Sequence, residues 1–145
     1  MRLLALVLVF AGAAPACSRE SARVVEIDQL RAYPNPDGAG AVVFLRALNS
    51  TGKIRGLSDA RAADPLRASI RTWAFEEGRQ VTQPAETLWM PPGREVVLRG
   101  GGVHIHLEGF SSPPAPGKTV GFELGFNDGS WRSLTAEVEP LPSRK

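Results

Sequence analysis

From Arg23 onward, the chain consists of short apolar, β-branched and aromatic runs separated by Gly, Pro, Asn and Asp. No apolar stripe of helical period extends beyond about ten residues, and Ser58–Pro65 is expected to hold at most one short helical turn. Such runs predict β-strands. The predicted strands are Val24–Leu30, Ala41–Leu48, Leu66–Phe75, Gln80–Gln83, Glu95–Leu98, His104–Leu107, Val120–Phe126 and Trp131–Val138. Their spacing favours a single-domain, all-β antiparallel sandwich or barrel.

Two turn signals and the alternation of the last strands support this fold class. Asn127-Asp128-Gly129 and Glu76-Glu77-Gly78 each separate two strand-like runs, which is typical of tight hairpins. Along a strand, alternate side chains point to the same side of the sheet. The sequence therefore predicts one shared apolar face for Phe122, Leu124 and Phe126.

The first 17 residues have the layout of an export signal. A basic start precedes an apolar run over residues 3–10 and small residues up to Ala16, which is the pattern of a signal peptide over 1–16. The sole cysteine, Cys17, follows directly and occupies the position that is lipidated in bacterial lipoproteins. We expect an exported, periplasmic protein anchored in the membrane through Cys17, and simple cleavage that leaves a free thiol is the alternative.

The remaining chain divides into a polar tether over 17–22, one domain over 23–140 and a tail over 141–145. Its net charge of +2 is spread along the chain without a basic stripe, so no nucleic-acid partner is expected. The chain contains no nucleophile elbow, no phosphate loop with Lys-Ser/Thr and no H-E-x-x-H motif, so an enzyme is not expected. The tryptophans are interpreted as core or edge packing residues, namely Trp73, Trp89 and Trp131.

The most informative segment contains both histidines of the chain, His104 and His106, two positions apart. On a strand, these side chains and Glu108 would project to one side, while Ile105 and Leu107 would face the core. Two imidazoles and a carboxylate are a suitable ligand set for a borderline divalent metal ion. The alternative interpretation is the polar outer face of an amphipathic strand.

Four segments carry a resemblance to a known family. Residues 101–110 read G-G-V-H-I-H-L-E-G-F, close to a G-G-x-H-x-M-x-x-G-L pattern. Segments 39–49, 88–93 and 126–129 are similar to a strand, a turn and a hairpin of the same family. This family is the periplasmic copper chaperone family PCu(A)C. The resemblance implies a cupredoxin-like β-sandwich, copper as cargo, and a copper donor or acceptor protein in the envelope on the route to cytochrome oxidase.

The copper motif of that family, H-x10-M-x21-H-x-M, is only partly kept. Alignment on Gly78 places the first His at Arg71 and the first Met at Thr82, and the 21 residues from there to His104 match the motif. His106 stands where the family has its second Met. Arginine offers no lone pair to a metal ion, and threonine is a poor donor for soft metals.

Two interpretations of this substitution pattern stay open. In the first, His104 and His106, together with Glu108, form a reduced copper site that favours Cu(II) or Zn(II) more than a Met-rich site does. Met90 is a further possible ligand, or else a core or loop residue. In the second, metal binding is lost, Arg71 pairs with Glu108, and the sandwich serves as a binding or assembly module.

Overall fold

The computed structural model describes residues 24–35, 38 and 40–142. The predicted signal peptide 1–16, Cys17, the tether 17–22 and the last three tail residues lie outside the described residues. The described part consists of ten strands: β1 (Val25–Pro34), β2 (Ala41–Asn49), β3 (Arg55–Arg61), β4 (Arg67–Glu76), β5 (Arg79–Pro84), β6 (Leu88–Met90), β7 (Glu95–Leu98), β8 (His104–Glu108), β9 (Thr119–Phe126) and β10 (Trp131–Glu137). Across it, no helix combines the length and the apolar character needed to cross a bilayer.

The strands form two sheets that pack face to face. The larger sheet has the order β1-β2-β8-β4-β5, and β7 pairs with the second half of β2. The smaller sheet has the order β10-β9-β3-β6. All pairings within the two sheets are antiparallel. The predicted all-β, single-domain antiparallel sandwich is thereby confirmed.

The core lies between the sheets and follows the period-two alternation of the strands. Burial alternates along all of β2, and the inward side chains of β2, β8 and β9 are almost completely buried. They include Val43, Leu45, Ile105, Leu107 and Leu124, none more than 1% exposed. The residues that alternate with Ile105 and Leu107 on β8 consequently point away from this core; they are His104, His106 and Glu108.

Two strands were not predicted. Ser58–Pro65, where the sequence allows at most one short helical turn, contains none, and its first residues belong to β3. This strand has no β-branched residue and little intrinsic preference for a sheet, but β9 and β6 pair with its two edges, and Leu57 is completely buried. Tertiary pairing outweighs local propensity here. The other strand, β6, has only three residues before Pro91-Pro92.

Both predicted hairpins are present. Glu76 pairs with Arg79, so Glu77 and Gly78 alone form the turn between β4 and β5. Both turn residues have positive φ, 50° at Glu77 and 77° at Gly78, as a type I′ turn requires. The second hairpin, over residues 127–129, joins β9 to β10.

Candidate metal centre

The register of β8 places both histidines on the outer face of the larger sheet. His104 lies opposite Arg71 of β4, and His106 lies between Ser69 of β4 and Val42 of β2. Directly paired residues of antiparallel strands project to the same face. The two rings are therefore neighbours, with their centroids 6.5 Å apart.

His104 is buried although it lies outside the core between the sheets. Only 1% of its surface is exposed, and the indole of Trp73 stacks on its ring with a centroid distance of 5.1 Å. Its Nδ1 lies 3.1 Å from the carbonyl oxygen of Gly102. Because a carbonyl oxygen only accepts, Nδ1 carries the proton, and the neutral ring keeps its lone pair on Nε2. This arrangement is the usual one for a histidine that ligates through Nε2.

His106 is partly buried and has one ring nitrogen without a partner. Its Nε2 lies 3.5 Å from the side-chain nitrogen of Asn35, at the long limit of a hydrogen bond. Its Nδ1 is buried and, among the described residues, makes no hydrogen bond. A buried polar atom without a partner is costly; a metal ion bound at Nδ1 would satisfy it, with the proton on Nε2 and the Asn35 side chain turned so that its amide oxygen accepts from Nε2.

The surroundings favour the neutral form of both rings. Burial lowers the pKa of His104 below its ordinary value; the Gly102 carbonyl opposes this effect, and the positive charge of Arg71 adds to it. Burial also lowers the pKa of His106, where the Glu108 carboxylate opposes the effect and the charges of Arg71 and His104 add to it. Near neutral pH both imidazoles therefore keep a lone pair for a metal ion.

Glu108, the third predicted ligand, contacts another residue. Its Oε2 lies 3.6 Å from Nη2 of Arg67, which is opposite on β4; the Arg67 side chain is largely exposed and that of Glu108 is about half exposed. Within residues 24–35, 38 and 40–142, no group of three or more His, Cys, Asp and Glu side chains is placed to hold a metal ion. The structure brings the two histidines together and leaves Glu108 beside Arg67.

Arg71 and Thr82, which occupy two positions where the PCu(A)C motif has metal ligands, are hydrogen-bonded to each other. Arg71 donates from Nε to Oγ1 of Thr82 at 2.9 Å and from Nη2 to the Thr82 carbonyl at 2.7 Å. The pairing of Arg71 with Glu108, expected if metal binding is lost, is wrong, because the hydrogen bonds of Arg71 run across the β4–β5 ladder to Thr82. Met90, the further possible ligand, is completely buried in the core on β6 of the other sheet.

Trp73 and Asn35 are part of the site and were not predicted there. Trp73 stands two residues after Arg71 on β4, so strand periodicity alone would have placed it on the same face. Asn35 follows β1 and reaches His106 from 71 residues away in the chain. No local sequence signal indicates that contact.

The fold is similar to the cupredoxin-like sandwich of PCu(A)C domains, also written PCuAC. A copper-bound PCuAC domain from PmoF2 is 19% identical, with a TM-score of 0.60 and coverage of 80% of this chain and 92% of that one. An apo PCuAC domain from PmoF1 is 15% identical, with a TM-score of 0.62 and coverage of 80% and 93%. The solution structure of apo-DR1885 from Deinococcus radiodurans is 20% identical, with a TM-score of 0.53 and coverage of 99% of both chains.

These similarities confirm the predicted fold. The chain belongs to the family described as "Putative lipoprotein LpqE-like", which matches residues 24–138. No curated protein matches the chain significantly.

Proposed function

We propose that this protein is an exported copper-binding protein that holds copper as cargo through His104 and His106. The observation that carries the proposal is the pair of adjacent, neutral imidazoles on β8, one of which has a buried Nδ1 that forms no hydrogen bond within the described part of the chain. Imidazole nitrogen suits copper, and two histidines are a usual minimum for a useful site. The copper-bound PmoF2 domain supports copper as the metal for this fold.

Glu108 is proposed as a third, weaker ligand. It has to leave Arg67 to reach the metal ion, and an exposed ion pair contributes little to stability. Because the two family methionines are absent, we expect weaker Cu(I) binding than a full His and Met set provides.

The destination of the copper is proposed to be another protein of the envelope, on the route to cytochrome oxidase that the family resemblance implies. The export signal before Cys17 and the lipoprotein description of the family support an anchored location. Labelling with a fatty-acid analogue should mark the wild-type protein and not Cys17→Ser. An unlabelled wild type would show that the protein is not lipid-anchored.

Metal titration tests the copper site. We expect saturable copper binding by the purified domain and at least a tenfold loss in His106→Gln, since one of two strong ligands is removed. Glu108→Gln should weaken binding much less. Ser69→Ala is the matched control, because it alters the same face of the sheet without removing a proposed metal ligand. If the His104→Gln/His106→Gln double variant is folded and binds copper as tightly as the wild type, the proposal is wrong.

The second candidate is a binding or assembly module without metal, and the Arg71–Thr82 hydrogen bonds favour it. These bonds join the two motif positions at which this chain has no metal-binding side chain. Arg71 also adds a positive charge near both imidazole rings. The double variant Arg71→His/Thr82→Met decides between the candidates. If it binds Cu(I) and the wild type does not, the natural protein has kept the fold and lost the cargo.

A further inference from the structure

A cavity of about 300 Å³ lies at the end of the sandwich where the β9–β10 hairpin approaches the start of β1. Its apolar wall includes Val24, Phe126 and Trp131, and its polar wall includes Arg55, Asp128 and Arg132. It shares no residue with the copper site. Along β2, the pairing partner of Val25 is Asn49 and that of His106 is Val42, so the two places are roughly 23 Å apart along the strand.

The charges of this cavity do not balance. Asp128 accepts from Nη1 of Arg55 at 2.7 Å through Oδ2, and from the amide and hydroxyl of Ser130 at 3.0 and 2.6 Å through Oδ1. Both of its oxygens are thus engaged. Arg132 donates to the carbonyl oxygen of Val25 and, in the part of the chain that the structure describes, forms no ion pair. The cavity wall consequently carries one positive charge that no carboxylate of residues 24–35 or 40–142 offsets.

We propose that this cavity binds a small organic monoanion, a carboxylate attached to an apolar or aromatic group. The planar guanidinium of Arg132 suits a carboxylate, and one uncompensated positive charge suits one negative charge. Trp131 and Phe126 supply an apolar surface for the rest of the molecule. A volume of about 300 Å³ is at the small end of ligand cavities, which limits the ligand to a compact molecule.

Titrations followed by NMR test this site, with benzoate as the probe and the Ser130 amide and Trp131 indole signals as readouts. We expect saturable shifts with benzoate, and binding at least about tenfold weaker with benzyl alcohol, which has a similar shape and no charge. Inorganic phosphate should also bind more weakly, because it has no apolar part. No saturation with benzoate, or equal binding of either comparison compound, would overturn the proposal.

Three variants localise the effect. Arg132→Gln should weaken benzoate binding at least about tenfold, and Asp128→Asn should strengthen it, because the amide keeps an acceptor for Ser130 and removes the negative charge. Arg67→Gln is the control, since Arg67 pairs with Glu108 on the larger sheet and does not line the cavity. If Arg132→Gln does not fold, Asp128→Asn decides, and unchanged or weaker binding by it contradicts the proposal.

Discussion

The imidazoles of His104 and His106 make the stability of the metal-free protein depend on pH. The pKa of each is lowered by burial, so between the folded pKa and the ordinary value of 6.5 the unfolded chain binds more protons than the folded chain. We therefore expect the free energy of unfolding to fall as the pH drops from 7 to 5. Urea denaturation across this range measures the fall.

The control for this pH dependence is His106→Gln, which removes one of the two titrating groups. Its stability should fall less between pH 7 and pH 5 than that of the wild type. Hydrogen bonds from Arg46, Arg61 and Ser130 hold the pKa values of three carboxyl groups below their usual range, so these groups titrate below this window; they are Asp28, Glu123 and Asp128. A parallel fall in wild type and variant would show that the histidines are not responsible.

Gly109, directly after β8, cannot be replaced without strain. Its φ is 97°, and a Cβ atom there would lie 2.3 Å from the carbonyl oxygen of Pro65. We expect Gly109→Ala to lower the free energy of unfolding by about 2 kcal/mol or more, measured by chemical denaturation. Gly38→Ala is the control, because a Cβ at Gly38 meets no atom within 4 Å. Equal stability of the two variants would contradict this close approach.

The β4–β5 hairpin contains a residue that is poorly suited to its conformation. Glu77 has a φ of 50°, in the region that asparagine and glycine tolerate better than other residues. Glu77→Asn should raise the free energy of unfolding by about 0.5 kcal/mol, because Asn-Gly is the preferred type I′ pair. Glu76→Asn, at a paired strand position, should give no gain. Denaturation curves of both variants test the difference.

The elements show how far the sequence could predict this molecule. Runs such as Val120–Phe126 combine alternation with a clear turn signal, and their strands were predicted within one residue or so. Strand β3 was missed because its residues form a strand only when β9 and β6 pair with it. Propensity is a property of the segment, whereas this pairing is a property of the whole fold.

In the candidate site too, the sequence predicted what depends on one strand and missed what depends on the pairing of strands. The H-x-H spacing predicted two histidines on one strand face, and the motif register predicted that Arg71 and Thr82 replace ligands. The partners of those side chains depend on which strands become neighbours. Arg71 lies beside β5 and bonds Thr82, and Arg67 is left opposite Glu108. The burial of His104 under Trp73 likewise required the β4–β8 pairing.

In the molecule as a whole, the proposed copper site and the core lie on opposite faces of the larger sheet. The core residues Leu45, Ile105 and Leu107 fill the space between the sheets, and the histidines project the other way. We therefore expect folding not to depend on a metal ion, unlike in small domains whose core is built around one. This separation is what the proposed cargo function requires, because such a protein has to release its metal ion and stay folded.

Metal removal and loading test this separation. Treating the purified domain with copper chelators should leave its circular dichroism spectrum and cooperative unfolding unchanged. Copper at about 100 times its dissociation constant should stabilise the folded state by about 2.7 kcal/mol and raise Tm by several degrees. The His104→Gln/His106→Gln variant should show no such rise. Unfolding by chelators would mean that the metal ion is structural, and an equal rise in the double variant would place the copper elsewhere.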